Sequence, residues 1–105
     1  MQPNSRQLDE LLRRIRSAVQ PRRVLLFGSA ARGEMGPNSD LDVLVIVPEG
    51  VDGRSATRRI YRELIGFEAA ADVIVATEAE IEQYGSNFSL VYYPALRDGR
   101  EIYAA

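Results

Sequence analysis

Gly28-Ser29-Ala30-Ala31-Arg32-Gly33-Glu34-Met35-Gly36-Pro37-Asn38-Ser39-Asp40-Leu41-Asp42-Val43-Leu44-Val45 decides how this chain folds. Upstream, Val24-Leu25-Leu26-Phe27 is a short apolar run that ends on the Gly28-Ser29 turn. Downstream, the β-branched run continues to Ile46-Val47 before Pro48. Short apolar runs bounded by Gly and Pro read as buried strands. Side chains alternate along a strand, so Asp40 and Asp42 share one face while Leu41 and Val43 share the other. Two carboxylates at the head of a core strand repel each other, and that arrangement needs compensation. A hard divalent cation supplies it, since Mg²⁺ takes one or two carboxylates together with phosphate oxygens. The Gly28-Ser29 turn faces the same edge, with backbone N–H groups at a helix start that suit a phosphate.

The stretch closely resembles the signature of minimal, MNT-type nucleotidyltransferases of the DNA polymerase β superfamily. Their pattern G-S-x-A-R-G-x5-S-D-x-D-x-x-V falls on Gly28, Ser29, Ala31, Arg32, Gly33, Ser39, Asp40, Asp42 and Val45 with no departure in spacing. The later Asp72-Val73-Ile74-Val75 is similar to the family's third-carboxylate strand. The resemblance implies that Asp40, Asp42 and Asp72 are catalytic and hold one or two Mg²⁺ ions. It also implies that Gly28, Ser29, Arg32 and Ser39 form the nucleotide-binding side of the site, with ATP as substrate. Gly28 and Ser29 would hold the β- and γ-phosphates, and Ser39 would fix the turn that orients Asp40. Arg32 either reaches a phosphate or pairs with a neighbouring carboxylate. An acceptor hydroxyl attacks the α-phosphorus in line and pyrophosphate leaves, with Asp72 binding the second metal or taking the proton.

Composition narrows the chemistry independently. With 105 residues and an apolar fraction of 46%, the chain reads as a single domain over residues 1–105 with a real core. All thirteen basic residues are Arg, and the absence of Lys excludes a lysine-based mechanism. There is no Cys and no His, which removes disulfides, thiolate sites, His-ligated zinc and His-based acid–base catalysis. Positioning and charge neutralisation carry phosphoryl chemistry, so a chain of this composition can manage it. The net charge of −2 gives no global signal for nucleic acid or membrane. No apolar run approaches a membrane span and Met1-Gln2-Pro3-Asn4 begins no signal peptide, so a cytoplasmic location is expected.

Two neighbouring motifs fail. Gly28–Gly33 contains G-x-x-x-x-G, but Glu34-Met35 follows where a Walker A loop needs Lys and Ser or Thr. No G-x-G-x-x-G occurs.

Leu8, Leu11, Leu12, Ile15 and Val19 carry a helical period over residues 5–19, with Asn4 or Ser5 as cap and Pro21 as stop. Arg13, Arg14 and Arg16 fall on or beside its wet face. Strands are expected over 23–27, 41–47 and 71–76, and a short helix over 29–34 leads to the Gly36-Pro37-Asn38 turn. A second long helix is expected over 54–66, its apolar stripe Ala56, Ile60, Leu64 and Phe67. Arg54, Arg58 and Arg62 recur along another face of it, either solvated or in contact with a partner. Thr77-Glu78-Ala79-Glu80 matches a capping box that opens a short acidic helix, ended by Gly85. Phe88–Asp98 is apolar enough to pack as a helix interrupted at Pro94, and Glu101-Ile102-Tyr103 reads as an edge strand. This order gives an α/β domain with helices on a small central sheet, a parallel doubly wound sheet remaining open. The resemblance implies instead the mixed sheet of the polymerase β-like nucleotidyltransferase fold.

The acceptor is the harder question. The family's small stand-alone members are often antitoxins that transfer AMP to a tyrosine of a partner HEPN-type toxin, and the resemblance implies such a toxin as partner. Two alternatives are a non-catalytic module that neutralises its partner by docking, and nucleotidyl transfer to a small molecule in a pocket completed by a homo-oligomer or partner. The apolar 88–96 segment, with Tyr92 and Tyr93, either closes the core or leaves an exposed remnant that suits an interface.

Overall fold

The computed structural model describes residues 5–28, 40–84 and 99–105. Its elements are α1 (Ser5–Ala18), β1 (Arg23–Phe27), β2 (Leu41–Val47), α2 (Gly53–Glu63), β3 (Ala71–Thr77), α3 (Glu78–Tyr84) and β4 (Arg100–Ala104). The strands form one mixed four-stranded sheet in the order β3-β2-β1-β4. β1 is antiparallel to both β2 and β4, whereas β2 and β3 run parallel. A parallel pair cannot be closed by a hairpin, and α2 provides the crossover. The sheet is therefore mixed, as the resemblance implies, and the doubly wound alternative is excluded.

Local sequence explains where the elements begin and end. Asp52 caps α2 by accepting from the Arg54 amide at 3.3 Å. α2 ends at Glu63, three residues short of the expected 66, because Leu64 takes the cap and Gly66 sits at φ +86. A left-handed residue just past the cap stops a helix. The capping box at α3 is fully formed: Thr77 N donates to Glu80 Oε1 at 3.0 Å and Glu80 N to Thr77 Oγ1 at 3.2 Å. The expected helix over 29–34, the Gly36–Asn38 turn, the Gly85 stop and the Phe88–Asp98 segment, with Tyr92, Tyr93 and Pro94, lie outside the described residues.

Alternation along β2 divides the core into two layers. Leu41, Val43, Val45 and Val47 face α1 and α2, meeting Leu8, Leu11 and Ile15 of α1 and Ala56 and Ile60 of α2. Leu44 and Ile46 point the other way, with Leu25, Ala76 and Ile81 of α3. β2 is buried on both faces, which is why its sequence is a nearly continuous apolar run. Arg14 departs from the wet-face expectation: its guanidinium donates to the carbonyls of Glu63 and Ile65 at 2.8 and 2.9 Å, at the end of α2. It also lies 5.8 Å from the Phe67 ring centroid. Three methylenes of reach let a residue of α1 serve the exposed carbonyls at the end of α2.

Candidate functional site

β1, β2 and β3 present their side chains in register. Phe27 lies opposite Asp42, and Asp42 opposite Asp72. Partners across neighbouring strands point to the same face, so Phe27, Asp42 and Asp72 form one row across the head of the sheet. The next row down on that face is Leu25, Leu44 and Ile74, entirely apolar. Strands are about 4.8 Å apart, so the backbone brings two carboxylates close together above an apolar floor. Asp42 is half-buried and Asp72 exposed. Asp40 is exposed and immediately precedes β2, two residues from Asp42 and hence on the same side.

Gly28 joins this row from the end of β1. It has φ +64, a conformation in which L side chains are strained. A Cβ placed there would stand 2.4 Å from Asp42 Oδ2 and 3.3 Å from its carboxyl carbon. The Asp42 carboxylate thus occupies the space that any larger residue at position 28 would fill. The Gly of the turn and the second Asp of the carboxylate pair are, in three dimensions, one packing unit.

β3 is an edge strand, and two side chains hold it where Asp72 sits. Val73 N donates to the Tyr61 hydroxyl at 2.8 Å, satisfying an amide that the sheet edge leaves open. Tyr61 lies off the apolar stripe of α2, so the helical period gave no sign of this role. At the other end the Glu80 carboxylate accepts from Thr77 N. Ser29, Arg32 and Ser39 lie outside the described residues.

The donor set suits a hard cation. It offers carboxylate oxygens only, of the kind Mg²⁺ takes alongside phosphate. The cradle at Gly28 leaves one of those carboxylates against a bare backbone. Among the described residues, no three acidic side chains gather tightly enough to enclose an ion. Asp42 and Asp72 are neighbours in register, and Asp40 does not join them in a three-carboxylate cluster.

The family profile of the nucleotidyltransferase domain matches residues 8–96, most of the chain. The chain belongs to this family. Its site residues thereby gain a context, since the turn at Gly28 and the β2 head lie within the matched span. No curated protein matches the sequence closely. Solved structures share the nucleotidyltransferase fold. One is a Sulfolobus solfataricus protein assigned as a nucleotidyltransferase, 20% identical, TM-score 0.64, covering 94% of this chain and 78% of the other. Another is the tri-AMPylated Shewanella oneidensis HEPN toxin in complex with MNT antitoxin, 12% identical, TM-score 0.62, covering 94% of this chain and 71% of the other. A third is the spectinomycin adenyltransferase of Enterococcus faecialis with ATP and spectinomycin, 19% identical, TM-score 0.68. That match covers 97% of this chain but only 56% of the larger enzyme. Among the described residues, no helix of this nucleotidyltransferase domain is long and apolar enough to cross a membrane.

Proposed function

We propose that this nucleotidyltransferase domain transfers AMP from ATP to a hydroxyl group of a protein partner, the acceptor being a tyrosine of a HEPN-type toxin. The observation that carries the reading is the row Asp42–Asp72 with Gly28 packed on the Asp42 carboxylate. The toxin–antitoxin complex among the fold neighbours supports the choice of partner, and the adenyltransferase supports the choice of nucleotide.

Asp40, Asp42 and Asp72 are the residues that would hold Mg²⁺. When bound, the ion neutralises triphosphate charge and draws the nucleotide onto the sheet head. The chain's own contributions are positional. Gly28 leaves room for the Asp42 carboxylate, and Gly28 and Ser29 would hold the β- and γ-phosphates, as the sequence motif implies. Tyr61 and Glu80 steady β3, and with it Asp72. Asp72 stands at the exposed edge, where an acceptor hydroxyl would arrive and where a carboxylate can take its proton. The acceptor oxygen forms a bond to the α-phosphorus, the bond to the bridging oxygen breaks, and pyrophosphate leaves with that electron pair.

Co-expression with the product of the adjacent reading frame, followed by intact-mass measurement of the partner, tests the reading. A gain equal to one or more AMP groups is expected, and it should vanish with Asp42→Asn. A partner neutralised without mass gain, equally by wild type and Asp42→Asn, would show that docking alone suffices.

A further inference from the structure

Folding sorts the arginines. At the end of the sheet remote from Asp42, where β2 finishes and β1 begins, two concavities adjoin. One of about 780 Å³ is lined by Arg13, Arg16, Arg22 and Tyr103, with Pro21 and Pro48. The other, of about 450 Å³, is lined by Arg16 and Arg59. Arg16, Gln20 and Pro48 belong to both, so the two form one groove. Its walls carry four arginines and one acidic side chain, Asp9, in a chain whose net charge is −2.

Two of these cations already have partners. Arg13 bonds Glu10, and Arg22 lies 3.5 Å from Glu78. Arg16 and Arg59 are exposed and, among the described residues, have no carboxylate beside them. Instead, the Arg16 guanidinium lies 4.7 Å over the Tyr103 ring, which fixes it as a flat cationic platform. Guanidiniums on the walls of one groove that no side-chain carboxylate among the described residues pairs with mark a place for anions.

We propose that this groove binds single-stranded nucleic acid, with phosphates at Arg16 and Arg59 and bases against the guanidinium plane that Arg16 lays over Tyr103 and against half-buried Pro48. A guanidinium held flat on a ring, with Pro48 beside it, favours this ligand over an acidic peptide, because bases stack on such planes and carboxylate side chains do not. A duplex is a rigid cylinder with its phosphates outside, and it cannot enter a concavity of this size. The groove lies the length of β2 from Asp42, about 20 Å at the usual rise per residue. Occupancy therefore leaves the carboxylate row open.

Fluorescence anisotropy of the full chain with labelled oligonucleotides of ~12 residues, one RNA and one DNA, tests the proposal. With two phosphate contacts, affinity should fall about sevenfold as salt rises from about 50 to 200 mM. Arg16→Glu with Arg59→Glu should weaken binding by at least about tenfold, since repulsion replaces attraction at two contacts. Arg58→Glu with Arg62→Glu makes the same charge change outside the groove and should cost far less. Thermal melting checks that each pair folds, and the milder Arg16→Gln with Arg59→Gln decides if the Glu pair does not. Binding of both oligonucleotides supports backbone recognition, and preference for RNA supports contacts to the 2′-hydroxyl. Three results would overturn the proposal: no saturable binding at low salt, equal losses from both charge-reversed pairs, or displacement of the oligonucleotide by a Glu-rich peptide at matching concentration.

Discussion

At Gly28 two independent constraints meet, a left-handed backbone and a carboxylate where a side chain would be. Gly28→Ala should destabilise the protein by about 1–2 kcal/mol from the backbone term alone. Its larger effect should be catalytic, because Asp42 must move, and a misplacement of that kind costs on the order of 10²-fold in rate. Urea midpoints and AMP-transfer rates measured side by side would separate the two; an active Gly28→Ala would dissociate the turn from the site. Glu10 is a residue of another sort. Hydrogen bonds from Arg13 and then Arg14 hold its carboxyl below its ordinary value of 4.5. A depressed folded value means that the stabilisation is present at neutral pH and lost as pH falls below 4.5 through that value. The stability difference between wild type and Glu10→Gln should accordingly be flat above this range and close toward zero in acid. Since Glu10 is solvent-facing, added salt should shrink the difference further.

Between elements, single side chains act as ties. Arg14 fastens α1 to the end of α2 through two carbonyls and the Phe67 ring. Arg14→Ala should cost about 1 kcal/mol in a denaturant titration, because both hydrogen bonds are solvent-exposed and screened. Arg14→Lys should recover only part of this, because an ammonium cannot reproduce the planar fork. Tyr61 ties α2 to the edge of β3. Tyr61→Phe should cost about 1 kcal/mol and speed hydrogen exchange at the Val73 amide, with little change in the amides of central β2. Unchanged exchange at Val73 would mean that the hydroxyl does not protect that edge.

Across the whole molecule, the elements were legible because each carries its own local pattern. Strands 23–27 and 41–47 are apolar runs with clear stops, and the Thr77–Glu80 box announces α3. The pairing of strands is non-local and was not legible: the residues alone leave a parallel sheet open. The adjacency of β2 and β3 in parallel register sets Asp72 beside Asp42 across thirty residues of chain. The candidate carboxylates could be named from S-D-x-D, but the contact of Gly28 with Asp42 depends on how β1 returns along β2. Arg14 looked solvated because a helical period registers direction, not reach, and Arg16 and Arg59 gain a shared groove only once α1 and α2 pack. The central claim is that the acidic row and the Gly28 turn bind a magnesium nucleotide. Calorimetric titration of the purified chain with a non-hydrolysable ATP analogue tests it most directly. Wild type should bind with Mg²⁺ and not in chelator, Asp42→Asn should lose binding in either condition, and Asp72→Asn should weaken it less. Equal, metal-independent binding by wild type and Asp42→Asn would contradict the account.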